Sequence, residues 1–115
     1  MLKWYRNLYI GHNAEKKAKK LIKKINHGAG VLDVYLVTLA VNPENSLEII
    51  SANQLMQKIL RESCPMIVGL GAGYEEAVEI VQKIAEEVYA DTGRMEIRNW
   101  LLFQESQKIT GGKEC

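Results

Sequence analysis

Residues 64–77, Cys-Pro-Met-Ile-Val-Gly-Leu-Gly-Ala-Gly-Tyr-Glu-Glu-Ala, constrain the fold more than any other stretch. Pro65 bars a helix from continuing into the segment, and Met66, Ile67 and Val68 form a short apolar run. Gly69, Gly71 and Gly73 then break the run before Tyr74, Ala77, Val78, Val81, Ile84, Ala85 and Val88 recur at helical spacing. A buried strand, a glycine turn and a long amphipathic helix make a βα unit, and such a unit needs a sheet to lie on. The chain is therefore expected to be α/β. Asp91-Thr92-Gly93 ends the helix.

The remaining segments fit around this unit. Residues 4–10 mix aromatic and β-branched side chains with Arg6 and Asn7, which predicts a first strand with one wet face. Ala14, Ala18, Leu21, Ile22 and Ile25 then share one helical face, capped by Asn13, while Lys16, Lys17, Lys19, Lys20, Lys23 and Lys24 take the other. Residues 31–41 hold nine apolar residues in eleven without alternation, as expected of a central strand covered on both faces. The turn Asn42-Pro43-Glu44-Asn45 leads into an expected second helix reaching about Ser63, with Ile49, Ala52, Met56, Ile59 and Leu60 inward. Residues 47–50 alone also read as a strand. Residues 95–103 begin by alternating Met95 and Ile97 with Glu96 and Arg98, which predicts a fourth, edge strand. The pattern implies a βαβαβαβ domain over residues 1–103, with a mostly parallel four-stranded sheet and three main helices, followed by a polar tail at 104–115. Three helices on two faces leave one face thin, and a homodimer is expected to complete it.

Composition bounds the function. The 115 residues suit one domain, and a 47% hydrophobic and 25% charged make-up is that of an ordinary globular chain. The apolar runs are too short to cross a bilayer, so no membrane partner is expected, and the first residues lack the features of a secretory signal, so a cytoplasmic location is expected. Cys64 and Cys115 form no CxxC or Cys/His cluster, so neither a metal site nor a disulfide is suggested by spacing. Cys64 precedes its strand and is expected to be a packed thiol.

In a parallel sheet the strand-to-helix turns gather at one carboxyl rim, where Gly11-His12-Asn13, Asn42-Pro43 and the glycine turn are expected to converge. Gly69-Leu70-Gly71-Ala72-Gly73 resembles the glycine turn of Rossmann-type dinucleotide-binding proteins, with GxGxG spacing and Tyr74 where the third glycine belongs. The resemblance implies a small Rossmann-like fold and a crevice for a nucleotide or phosphorylated metabolite. Its candidate ligand-binding residues are Gly69, Gly71, Gly73 and Tyr74, joined by His12, Asn13 and Asn42; no other cofactor is expected. This reading requires an open rim over Gly71 with backbone amides unpaired, and Glu75 and Glu76 at the helix start would repel a phosphate there. His12 could act as a base or bind an anion, or be a solvated loop histidine. His27 is given no role, and Asp33, at the start of its strand, is expected away from the rim.

No acceptor aspartate, nucleophile or triad stands out, so enzymatic function is disfavoured. The lysine face invites a nucleic-acid reading. That helix lacks arginines and aromatics, however, and the third helix carries Glu75, Glu76, Glu79, Glu86, Glu87 and Asp91. The two charge sets are expected to be neighbours on one sheet face or complementary surfaces of adjoining subunits, and nucleic acid is expected not to be a partner. Asn53 and Gln54 are expected to bond to nearby backbone rather than orient a ligand. The leading expectation is a non-enzymatic interaction or accessory protein that self-associates or binds a protein partner; the alternative is a ligand at Gly69 to Tyr74.

Overall fold

Strands β1 (Trp4–Ile10), β2 (Val34–Leu39), β3 (Leu47–Ser51) and β4 (Ile67–Ala72) of the computed structural model pair in the order β1-β4-β2-β3. Residues 2–42 and 44–114 are described, the side chains from residue 108 onward excepted, so Pro43 and Cys115, with the disulfide weighed for it, lie outside. β1 runs parallel to β4, whereas β2 is antiparallel to both β4 and β3. The α/β expectation holds. The sheet, however, is mixed rather than mostly parallel, and two segments account for the difference.

The first is the expected second helix. Residues 47–51 instead form β3, which folds back on β2 as a hairpin with Leu39 opposite Leu47 and Leu36 opposite Ile50. The amide of Ala40 donates to the carbonyl of Ser46 at 3.1 Å. Asn42 holds the loop, its Oδ1 accepting from the amide of Glu44 at 2.9 Å. Only residues 52–62 turn helical, as a 3-10 turn at Ala52–Met56 and the short helix α2 (Lys58–Glu62). Here Ser51 caps the first turn, accepting from the amide of Asn53 at 3.3 Å.

The second is the expected fourth strand. Residues 97–103 belong instead to α4 (Ile97–Glu114), and the expected domain boundary at 103 falls inside this helix. Gly93, left-handed with φ 73°, ends α3 (Tyr74–Thr92). Thr92 Oγ1 then donates to the carbonyl of Val88 and accepts from the amide of Arg94, turning the chain back. Ile97, Trp100 and Leu101, three and four residues apart, meet the core that α3 covers.

Two layers of helix result. On one face α1 (Ala18–Asn26), the 3-10 turn before it at His12–Lys17 and residues 52–56 cover Leu36, Ile67 and Leu70. On the other, α3 and α4 cover Val37 and Val68, with Ile84, Val88 and Leu101 buried between. Gly69 lets α3 approach: a Cβ there would stand 2.7 Å from Cγ2 of Ile80 and 3.1 Å from Cβ of Val37. Among the described residues no helix is long and apolar enough to cross a membrane. Because Leu101 is fully buried, Leu101→Ala is expected to cost about 2–5 kcal/mol in denaturant unfolding. An edge-strand position facing water would lose far less.

Candidate functional site

Helix α3 starts where β1 and β4 end, and Glu76, its third residue, ties the three together. Its carboxylate bends back so that Oε1 accepts from the amide of Ala72 at 2.8 Å and Oε2 from the amide of Asn13 at 2.7 Å. The arrangement resembles a capping box, with the acceptor serving the strand end and the neighbouring loop. Glu76 is 8% exposed, a depth at which a carboxylate needs such partners. Gly11 makes room for it, since a Cβ there would stand 2.1 Å from Oε1.

A cleft of about 570 Å³ opens beside this knot, lined by His12, Asn13, Asp33, Tyr74, Glu75 and Glu79 among others. Of the sequence-derived candidates, His12, Asn13, Gly73 and Tyr74 meet here. Gly69 and Gly71 do not reach it. A Cβ on Gly71 would stand 3.0 Å from the amide nitrogen of Ala77, so α3 roofs the position that a nucleotide reading needs open. The turn's amides are also engaged: Ala72 by Glu76, and Gly73 by the carbonyl of Asp33 at 2.8 Å.

Strand direction relocates two residues. Because β2 is antiparallel to β4, with Val34 opposite Ala72, Asn42 lies at the far end of the sheet in the hairpin loop, away from His12 and Gly73. For the same reason Asp33, expected away from the rim, stands on it, in a left-handed conformation with φ 54°. Its Oδ2 would be 3.6 Å from a Cβ on Gly73.

The cleft is acidic and its side chains are mostly wet. His12 is exposed, with Nδ1 3.8 Å from an oxygen of the less exposed Glu15. Tyr74 is 56% exposed and meets Tyr35 edge to face at 5.6 Å without filling the crevice. Among the described residues no group of His, Cys, Asp and Glu has an arrangement that could hold a metal ion. Asn53 bonds to backbone as expected, its Oδ1 accepting from the amide of Val31 at 2.8 Å. Burial pushes the Cys64 thiol up, away from nucleophile chemistry.

A second polar cluster, which the sequence reading missed, lies between β1 and α3. The Tyr9 hydroxyl donates to Glu87 at 2.5 Å, its ring stacks on Tyr5 at 6.3 Å, and Lys83 Nζ stands 6.0 Å from the ring centre. Burial first, then the bond to Glu87, raise the Tyr9 hydroxyl well above its ordinary value, and burial raises Tyr5 in the same direction. The only advance signal was the inward alternation of Tyr5 and Tyr9.

Glu76→Ala leaves two inner amides without their acceptor and is expected to cost about 2–4 kcal/mol, with Glu76→Gln costing less because one oxygen remains; denaturant titration reads both. A raised Tyr9 favours the protonated, folded state, so that contribution is complete below the ordinary value of 10.0 and is lost as pH rises above it. Stability followed by circular dichroism is therefore expected to fall above pH 10.0, less steeply in Tyr9→Phe. Comparisons of the chain with protein-family models, with curated proteins and with solved structures find no match.

Proposed function

We propose that this chain is a non-enzymatic interaction module that self-associates through the outer edge of β3 and the apolar surface beside it. The difference between the two sheet edges carries this reading. At β1 the edge is plugged: the amide of Arg6 donates to Oε1 of Glu105 on α4 at 3.1 Å. Among the described residues β3 pairs with β2 alone and leaves its other side unpaired within the sheet. An open edge is a template for another strand. Beside it a groove of about 140 Å³ is lined by Val41, Ile50, Leu55 and Leu60. Val41 is 72% exposed and Ile59 on α2 is 74% exposed, which is costly apolar surface unless something covers it.

The strand is compatible with itself. In an antiparallel pair centred on Ile49, each Glu48 faces Ile50 of the second copy and each Ile49 faces its mate, so no like charges are apposed. The alternative, a nucleotide or phosphorylated metabolite at the glycine turn, draws less support. The amides of Ala72 and Gly73 are already bonded, and Asp33, Glu75 and Glu79 line the neighbouring cleft.

Sedimentation velocity over a range of concentrations tests the proposal. A concentration-dependent shift from one copy to two is expected, and the double variant Val41→Lys, Ile59→Lys is expected to weaken it at least tenfold with an unchanged melting temperature. A single copy at every concentration would sink the self-association reading.

A further inference from the structure

The two charge sets, expected as neighbours on one sheet face or as complementary surfaces of adjoining subunits, lie on helices at opposite faces of the sheet. Lys16, Lys17, Lys19, Lys20, Lys23 and Lys24 are all exposed on the face of the sheet that α1 covers, while the acidic residues of α3 lie on the opposite face. Among the described residues none of the six makes an ion pair. Two packed layers, each on the order of 10 Å thick, separate α1 from Glu86 and Asp91, more than the Debye length of ~8 Å at physiological salt. Glu76 and Glu79, at the start of α3, instead line a cleft with His12 and Glu15. The two charge sets are therefore not neighbours on one sheet face, and within one copy the acidic residues of α3 leave the lysines unpaired among the described residues.

The lysines also have a pattern. Along α1, Lys19 and Lys23 make one row and Lys20 and Lys24 another, each pair four residues apart on its solvent side, and Lys16 and Lys17 extend the exposed lysines into the 3-10 turn before it. Such a helix is roughly 10–12 Å across with its side chains, and the major groove of a duplex, about 12 Å wide, is bordered by two phosphate backbones. From this match we infer that the lysine face of α1 docks on the phosphate backbones of duplex nucleic acid without reading sequence. The absence of arginine and aromatic residues from α1 fits that restriction, because bidentate contacts to base edges and stacking both require them. A bilayer surface suits the helix less well: Ala18, Leu21, Ile22 and Ile25 are turned into the core and offer nothing to insert. The inference does not depend on self-association.

Fluorescence anisotropy with labelled mixed-sequence duplex of about 20 base pairs tests it on the full chain. Five phosphate contacts give a log–log salt slope of about −4.5, or about 500-fold weaker binding between 50 and 200 mM salt. The triple variant Lys19→Gln, Lys20→Gln, Lys23→Gln is expected to bring the slope near −1.8, about twelvefold over the same range. Glu86→Gln on the opposite face is expected to leave the slope unchanged, and unrelated duplexes are expected to compete equally. A melting curve verifies that each variant is folded. No binding at 50 mM salt overturns the inference, as does a slope indifferent to the three lysines. Capture by phosphatidylserine vesicles in preference to duplex would likewise overturn it, assigning the face to lipid.

Discussion

The carboxylate of Glu76 is the interaction on which the geometry of one whole end of the molecule depends. Two parallel strands finish side by side there, a long helix begins, and a loop leaves toward α1, so several backbone amides arrive at one buried place with no ladder to join. Glu76 accepts from two of them and is itself satisfied in doing so. A bulkier residue at position 11 would displace it, and a Cβ at position 71 would press on its own Cβ at 3.0 Å. The glycines of this region therefore make sense as space for a helix and its carboxylate. The same bonds that complete the fold leave less for a phosphate to do.

Strand direction is the second constraint. Reversing β2 relative to β4 exchanges which loops are neighbours: it brings Asp33 to Gly73 and sends Asn42 to the far rim. The hairpin of β2 and β3 also puts a short strand at the sheet's margin, where a helical crossover would have placed cover. The open edge and the apolar groove are two outcomes of that one reversal.

Much of the fold was legible in the residue pattern, and the parts that were not share a cause. β1, β4 and α3 follow from periodicities long enough to admit one interpretation, as in the seven-residue stripe of α3. The first helix, expected from Ala14 with Asn13 as its cap, instead starts as a 3-10 turn and becomes α1 only at Ala18, and Asn13 caps neither, its amide donating to Glu76. Ile49, Ala52 and Met56 satisfy a helical period, yet Leu47 to Ser51 also suits a strand, and pairing with β2 decides between them. Likewise two cycles of alternation at Met95 to Arg98 were outweighed by Ile97 and Leu101, whose helical spacing buries Leu101 and packs the half-buried Ile97 against the core that α3 covers. Of the candidate site, four residues do gather in one cleft, but its membership turned on strand direction, which local pattern does not encode. Glu76 could have been noticed as the acid three residues after the helix's glycine cap. The absence of Ser, Thr, Asp or Asn at that cap hid the signal.

A formal net charge of +1 conceals how unevenly this molecule is charged. With six exposed lysines on one layer and an excess of carboxylates over Lys83 and Arg98 on the other, the sheet works as a partition between the poles of a permanent electric dipole directed across the layers. Such a body turns in an external field before it touches anything. Near a strongly anionic object it would arrive helix α1 first, and the torque would persist for only a few Debye lengths, so orientation on approach would weaken as salt is added. Two molecules with the same net charge but intermingled signs would diffuse to the same object with no preferred face.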